Sequence, residues 1–218
     1  MSASSSGGVT TPGYRHRGLE ELFRLARMTP LPIEQDQFVF LRHGETDGNF
    51  TKIFQTAEQQ LNARGLEQAR RAAECLAGHR LERIAASTMR RAWHTAEIVS
   101  EPHRLMPEPV DGLRERWFGD LVGTPSADYD WRNSPPNGEP LAVFVERTQR
   151  GLVEALKPAA FSALVAHGGT LYVLAASLGL ELETADYANC TPLLVERSKR
   201  GWRVTRLAVS TGSGDNIS

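Results

Sequence analysis

Two histidines of this chain stand directly after apolar runs and beside groups that bind anions. Phe38–Leu41 is followed by Arg42 and His43. A second apolar run, residues 163–166, is followed by His167 and two glycines. An arginine and a histidine are costly to bury unless an anionic group satisfies them. The pattern therefore favours an anionic substrate or partner group, and arginine forks suit the oxygens of a phosphoryl group.

Alternating strand-like and helix-like segments are expected to place these residues at one edge of a sheet. The alternation from about Gln37 onward predicts an α/β fold, a three-layer α/β/α sandwich with a mostly parallel sheet. In open α/β sheets ligands bind outside the carboxyl ends of the strands, so two histidines and up to three arginines should converge there. The predicted strands are 38–41, 84–87 and 163–166, and the predicted helices are one capped by Asn62 and stopped by Gly78, then 92–99, 141–156 and 170–178, before a hairpin within 192–209.

The start of the chain and one internal segment differ from the predicted core in composition. Residues 1–36 are interpreted as an N-terminal extension with a short helix, because apolar residues share one helical face over 19–26. The first 17 residues are rich in serine and glycine and are expected to be flexible unless docked. Residues 37–218 are predicted to form the main domain, in which a proline-rich and glycine-rich insertion at about 120–140 could fold over a pocket.

Composition excludes several classes of protein. Hydrophobic residues make up 40% of the 218 residues and the net charge is -1, so no global basic field argues for nucleic acid as a partner. The sequence has no apolar run long enough to span a membrane and no recognisable signal peptide, which predicts a cytoplasmic protein without a membrane partner. Cys75 and Cys190 have no metal-type spacing and are predicted to be small buried residues.

Taken in order, the charged motifs resemble the histidine phosphatase superfamily, also called the phosphoglycerate mutase-like family. The resemblance runs from about residue 38 to at least residue 196. A single Arg-His-Gly motif would be weak evidence, whereas the ordered set is specific. The residues that carry it are Arg42-His43-Gly44-Glu45-Thr46, Asn49, Asn62 with Gly65 and Gln68, Ser87 with Arg91-Ala92 and Thr95, Glu115 with Phe118-Gly119, and His167-Gly168-Gly169.

The resemblance implies a role for each of these residues. His43 would be the nucleophile and would become transiently phosphorylated on a ring nitrogen. Arg42, Arg91 and His167 would hold the phosphoryl group, because catalysis of phosphoryl transfer rests on positioning and charge stabilisation. Glu115 would protonate the leaving oxygen and then activate water. No metal or other cofactor is expected, since cationic side chains take that role. The implied substrate-binding residues are Asn49, Gln55 and Gly168.

Neighbouring residues of the same types receive structural interpretations. Arg90 and Arg91 cannot both hold one phosphate, and the family arginine precedes Ala92, so Arg90 is predicted to lie at the surface. The remaining histidines of the chain are interpreted as structural or solvated, and they are His16, His79, His94 and His103.

Several activities are compatible with such a site. Hydrolysis of a small-molecule phosphate ester is favoured over a cofactor-dependent phosphoglycerate mutase reaction, because only 52 positions separate Glu115 from His167, short for the insertion that encloses a mutase site. A phosphatase acting on a phosphohistidine protein stays open, whereas a binding protein with a dead site is disfavoured because every expected catalytic residue is present. The insertion also resembles the small branch that includes α-ribazole and broad-specificity phosphatases, although Pro140 and residues 120–123 depart from it. The natural substrate and the oligomeric state are left open.

Overall fold

The apolar strands predicted from the sequence lie at the centre of a mixed sheet. A computed structural model describes residues 16–208, and these residues contain six strands in the order β3-β2-β4-β1-β5-β6. Four neighbouring strands are parallel, while β5 pairs antiparallel with both β1 and β6. The strands are β1 Gln37–Arg42, β2 Arg83–Ala86, β3 Glu108–Pro109, β4 Ser162–Ala166, β5 Leu193–Ser198 and β6 Gly201–Arg206.

Helices cover both faces of this sheet. Successive residues of β1 point to opposite faces, so Val39 and Leu41 pack with α3 and α4 while Phe38 and Phe40 pack with α1, α5 and α6. The predicted three-layer α/β/α sandwich is therefore confirmed. The helices are α1 Leu19–Met28, α2 Asp47–Phe50, α3 Ala63–Leu76, α4 Arg90–Ser100, α5 Leu141–Ala155 and α6 Gly168–Leu178.

Local signals fixed some element boundaries better than others. The Asn62 side chain accepts a hydrogen bond from the Gly65 N–H at 2.8 Å and caps α3, as predicted. The α3 helix ends at Leu76, two residues before the predicted stop at Gly78. Both α4 and α6 begin two residues earlier than their apolar faces indicated, and α6 begins at Gly168. The C-terminal hairpin is confirmed, with a turn of two residues between its strands.

The α1 helix packs against α5 and α6. Leu22 and Ala26 are fully buried in the same apolar cluster as Phe38 and Phe40. The first 17 residues, which were expected to be flexible, lie mostly outside the described residues. The division of the chain at residue 37 stays a prediction. Within residues 16–208, no helix combines the length and apolarity needed to cross a membrane.

The insertion folds back onto the loop that follows α2. The Phe54 N–H donates to the Thr124 carbonyl at 3.0 Å, and the Gly123 N–H donates to the Phe54 carbonyl at 2.8 Å. The rings of Phe54 and Phe118 stack with centroids 4.0 Å apart. These contacts hold the insertion over the carboxyl edge of the sheet, where the predicted site residues lie.

Candidate active site

The carboxyl ends of three parallel strands bring the predicted residues together. The backbone N–H of His43, after β1, donates to the Ala166 carbonyl at the end of β4 at 2.9 Å. The N–H of Ser87, after β2, donates to the Val165 carbonyl, also at 2.9 Å. The imidazoles of His43 and His167 lie side by side, with ring centroids 5.1 Å apart and planes inclined by 60°. Register within the sheet thus positions both histidines.

The hydrogen bonds of His43 define its tautomer. The Nδ1 atom lies 2.7 Å from the Gly44 carbonyl oxygen, which only accepts, so Nδ1 carries the proton. The Nε of Arg91 donates to Nε2 of His43 at 3.1 Å, so Nε2 carries a lone pair. The imidazole is therefore neutral, and its unprotonated nitrogen faces a guanidinium.

Burial and neighbouring cations keep both histidines uncharged. The pKa of His43 lies well below its ordinary value, first because burial penalises the imidazolium and then because Arg91 and Arg42 repel it. The pKa of His167 is lowered well below its ordinary value by the same effects, burial first. Such a pair suits nucleophilic attack by one imidazole and hydrogen bonding by the other.

Arg91 is almost entirely buried in the first turn of α4. Besides contacting His43, its guanidinium donates to the Thr56 carbonyl at 2.9 Å. Burial lowers the pKa of Arg91 to about 10, with Glu115 opposing the shift, so the side chain stays a cation at neutral pH. It is therefore a fixed positive charge beside the lone pair of His43.

Arg42 is held by a segment that the sequence did not connect with the site. Its Nη1 donates to the Tyr187 carbonyl at 2.7 Å, and the Arg42 carbonyl accepts from the Cys190 N–H at 2.9 Å. Between these residues, the Asn189 amide donates to the His43 carbonyl at 2.7 Å. The buried Nε of Arg42 has no hydrogen-bond partner within residues 16–208. This leaves a donor that suits an anionic oxygen.

His167 is oriented by Ser87. Its Nε2 lies 2.7 Å from the Ser87 hydroxyl oxygen, which also accepts from the Met89 N–H at 3.3 Å. The serine O–H can then donate to Nε2, which leaves the proton of the neutral ring on Nδ1. No partner for Nδ1 occurs among residues 16–208. Ser87 was part of the predicted motif, but no role was predicted for it.

Glu115 reaches the site from the chain before the insertion. Its two carboxylate oxygens accept from the backbone N–H groups of Gly169 and Arg116, both at 2.9 Å. A Cβ on Gly169 would lie 2.1 Å from Oε1 of Glu115, so this glycine makes room for the carboxylate. The first turn of α6 thus binds the carboxylate of Glu115 through the Gly169 N–H.

The loop after His43 holds the predicted amides in a network. The Thr46 hydroxyl lies 2.7 Å from the Gln55 side-chain oxygen, and the Thr46 N–H donates to the Asn49 side-chain oxygen at 3.2 Å. Asn49 and Gln55 both line the cavity over His43. Gly168 instead lies beside Arg42. A Cβ added to Gly168 would lie 3.7 Å from Nε of Arg42, an ordinary van der Waals contact.

The sheet edge and the insertion border a partly open cavity of about 450 Å³. His43, of which 3% is exposed, lies at its floor. This volume is within the range of small-molecule sites. Its lining combines four of the five catalytic candidates with an aromatic wall to which the insertion contributes Trp131, while His167 is fully buried outside the lining. The lining includes Arg42, Arg91, Glu115, Asn49, Gln55, Lys52, Phe54, Phe118, Ser126, Trp131 and Asn189.

His16, interpreted from the sequence as structural or solvated, lines this cavity together with His43. The chain before residue 19 carries no recognisable motif that would indicate this position. Arg90 is exposed and both cysteines are buried and free, as predicted. The part of the chain described by the structure contains no cluster of three or more His, Cys, Asp or Glu suited to a metal ion.

Comparison with known proteins agrees with this geometry. The family model of the histidine phosphatase superfamily (branch 1) matches residues 38–210. This chain belongs to that superfamily. The match contains every predicted catalytic residue and excludes both His16 and α1. The membership of the histidine phosphatase superfamily predicted from the sequence motifs is therefore confirmed.

Several relatives of this histidine phosphatase superfamily member are named phosphatases. The uncharacterized phosphatase PhoE of Bacillus subtilis is 32% identical over 75% of this chain and 90% of its own. The adenosylcobalamin/alpha-ribazole phosphatase of Escherichia coli is 30% identical over 63% of this chain and 76% of its own. The solved structure of mycobacterial glucosyl-3-phosphoglycerate phosphatase Rv2419c with VO3 has a TM-score of 0.63 at 27% identity and covers 78% of this chain and 97% of its own.

Proposed function

We propose that the protein hydrolyses a small phosphorylated metabolite through a phosphohistidine intermediate, without a metal ion. The observation that carries this proposal is the state of His43, a buried neutral imidazole whose Nε2 lone pair faces the Arg91 guanidinium at 3.1 Å. A nucleophile beside a fixed cation suits attack on a phosphoryl group, because the cation stabilises the charge on the transferring oxygens.

In the first step, Nε2 of His43 forms a bond to phosphorus while the bond from phosphorus to the ester oxygen breaks. Glu115 donates a proton to that oxygen, and the alcohol leaves. Arg42, Arg91 and His167 bind the phosphoryl oxygens, with Nε of Arg42 and Nδ1 of His167 as donors that have no other partner within residues 16–208. The implied substrate contacts of Asn49, Gln55 and Gly168 belong to the same proposal.

In the second step, Glu115 takes a proton from water, whose oxygen attacks the phosphorus of the phosphohistidine. The bond from phosphorus to Nε2 breaks and inorganic phosphate is released. The Gly169 and Arg116 N–H groups stabilise the carboxylate that accepts this proton. Because Glu115 lines the same cavity as His43, one carboxyl group can serve both steps.

The cavity favours a small substrate over a protein. With 3% of His43 exposed beneath the insertion, a phosphohistidine on a protein surface would have to enter a space of about 450 Å³. The relatives support the same choice, since two are named for alpha-ribazole and for glucosyl-3-phosphoglycerate. We also propose the cytoplasm as the location, which fractionation of the native cells would test.

The test is hydrolysis of p-nitrophenyl phosphate with and without EDTA, by wild type, His43→Ala and the control His103→Ala. We expect turnover that resists EDTA, survives in the control and is lost in His43→Ala. An acid-labile phosphoenzyme should form in wild type and in His103→Ala but not in His43→Ala. Full activity of His43→Ala would overturn the mechanism. Interconversion of phosphoglycerates in the presence of 2,3-bisphosphoglycerate, without hydrolysis, would establish the mutase instead.

A further inference from the structure

His16 reaches the cavity from outside the part of the chain that matches the family. The family match begins at residue 38, yet the imidazole of His16 lines the same space as His43 and Glu115. Its ring centroid lies 6.2 Å from that of Trp131, which the insertion contributes to the cavity wall. Residues before the family match therefore complete the wall that lies above the sheet edge.

The backbone around His16 is fixed against the insertion. The Trp131 N–H donates to the Arg17 carbonyl at 2.8 Å. Gly18 has a φ of 83°, and a Cβ there would lie 2.8 Å from the Arg132 nitrogen, so the chain turns tightly in a space that only glycine fits. Arg132 also forms an ion pair with Glu20 at 3.6 Å.

Buried α1 anchors the other side of this turn. Leu19 and Leu22 pack in the core directly after Gly18, so the turn is held on both sides. A side chain placed by such contacts loses little further entropy when it binds a ligand. His16 is thus positioned well enough to contribute to recognition.

His16 lies in the part of the cavity that would hold the alcohol portion of a bound phosphate ester, beyond the phosphoryl group. The phosphoryl oxygens are assigned to the strand ends and to Arg91, on the floor of the cavity. Trp131 and Phe118 form an aromatic wall, with centroids 5.7 Å apart, and His16 adds a polar group to that wall. Burial lowers the pKa of His16, with Glu115 opposing the shift and Arg42 adding to it. A neutral imidazole both donates and accepts hydrogen bonds, which suits a hydroxyl.

We propose that His16 is a specificity-determining residue that hydrogen-bonds a hydroxyl of the leaving alcohol, and that the enzyme prefers phosphate esters of hydroxylated alcohols over those of plain alkyl alcohols. This inference rests on the proposed phosphatase function, since it assigns the leaving-group side of the same site. It adds a contact that the family match does not contain. A site built to bind a hydroxyl discriminates against the analogue that lacks it.

The experiment compares two esters that differ only in hydroxyl groups, sorbitol 6-phosphate and hexyl phosphate. Both release a primary six-carbon alcohol, and kcat/KM reports the first step alone. We expect His16→Ala to lower kcat/KM about tenfold on sorbitol 6-phosphate, the value of one good hydrogen bond, and less than twofold on hexyl phosphate. His16→Gln should recover most of the loss, because its amide also donates and accepts. His103→Ala, a half-buried histidine beyond the far end of α4, serves as the control.

Inhibition by inorganic phosphate separates this role from damage to the phosphoryl site. The Ki of phosphate should stay within twofold of wild type in His16→Ala, since phosphate fills only the floor of the cavity. Equal losses on both esters, or no loss on either, would overturn the proposal.

The proposed function and this inference can fail separately. Absence of p-nitrophenyl phosphate hydrolysis in wild type would refute the phosphatase. If sorbitol 6-phosphate is not turned over, its Kd for His43→Ala is compared with its Kd for the double variant His43→Ala/His16→Ala. A tenfold weaker Kd in the double variant supports the contact, and unchanged binding, or no binding to either, overturns it.

Discussion

Gly169→Ala should damage proton transfer while leaving the phosphoryl site in place. A Cβ at Gly169 would lie 2.1 Å from Oε1 of Glu115 and 3.0 Å from the ring of Phe144. Ordinary van der Waals contact begins at 3.4 Å, so Oε1 must move by about 1.3 Å. The Phe144 ring is fully buried and resists displacement, so the carboxylate moves instead.

The size of the loss follows from that displacement. Misplacing a reacting group by about 1 Å costs about 100-fold in rate, which lies within the range for losing a general acid. The loss should depend on the leaving group, because p-nitrophenolate departs without a proton and an alkoxide does not. We expect kcat/KM to fall about 100-fold on hexyl phosphate and less than about fivefold on p-nitrophenyl phosphate.

Gly168→Ala is the matched comparison on the neighbouring residue of α6, because a glycine can contact the substrate only through its backbone and alanine retains that backbone. It keeps the backbone N–H, and its Cβ would make an ordinary contact at 3.7 Å from Nε of Arg42. We expect less than about a threefold change on either substrate. Thermal unfolding of both variants checks the fold. The assignment of Glu115 as the acid that Gly169 accommodates would be refuted by either of two results. One is an equal fall in kcat/KM of Gly169→Ala on the two substrates, and the other is an effect of Gly168→Ala as large as that of Gly169→Ala.

Three further predictions concern the residues around the phosphoryl group. Glu115→Gln should reproduce the leaving-group dependence of Gly169→Ala, measured as the ratio of kcat/KM on p-nitrophenyl and hexyl phosphates; an unchanged ratio would count against proton donation. Ser87→Ala removes the hydrogen-bond partner of Nε2 of His167, so the free energy of unfolding in urea should fall by about 1–3 kcal/mol. The same variant should lower kcat/KM similarly on both substrates, and a loss on one substrate alone would contradict this. The pKa of the buried neutral His43 is lowered, so the unfolded state binds the proton first as pH falls below about 6.5, and stability decreases there. His43→Asn should therefore reduce the slope of unfolding free energy against pH by up to about 1.4 kcal/mol per pH unit. An unchanged slope between pH 5 and 6.5 would argue against burial of the neutral form.

The centre of the fold and the phosphoryl end of the site could be predicted because each depends on local signals. Apolar runs at 38–41 and 163–166 are buried on both faces, as parallel strands are, and that fixes where Arg42, His43 and His167 emerge. The Asn62 cap was equally local. Two helices began earlier than predicted because their first turns, at Arg90-Arg91 and Gly168-Gly169, contain arginines or glycines in place of apolar residues.

The supporting contacts could not be predicted because they join segments distant in sequence. Asn189 binds the carbonyl of His43 across 146 positions, and no periodicity marks it. The two-residue strand β3 is too short to produce a pattern. The position of His16 at the cavity also lacks a local signal, since it depends on the tight turn at Gly18 against the insertion.

The two ends of the cavity are built from different parts of the chain, and this separates chemistry from selection. The phosphoryl end rests on the sheet, where β1 and β4 fix the backbone of His43 and His167 by register. The other end rests on the insertion and the turn at residues 16–18, which hold each other through backbone hydrogen bonds and side-chain contacts. The residues that depart from the small phosphatase branch lie in the insertion or at its end, where Asp120 accepts from the Asn137 amide at 2.9 Å. Under the proposed mechanism, substitutions of the residues that line the second end would change which alcohol is accepted without moving His43, whereas a change at the strand ends would alter the reaction itself.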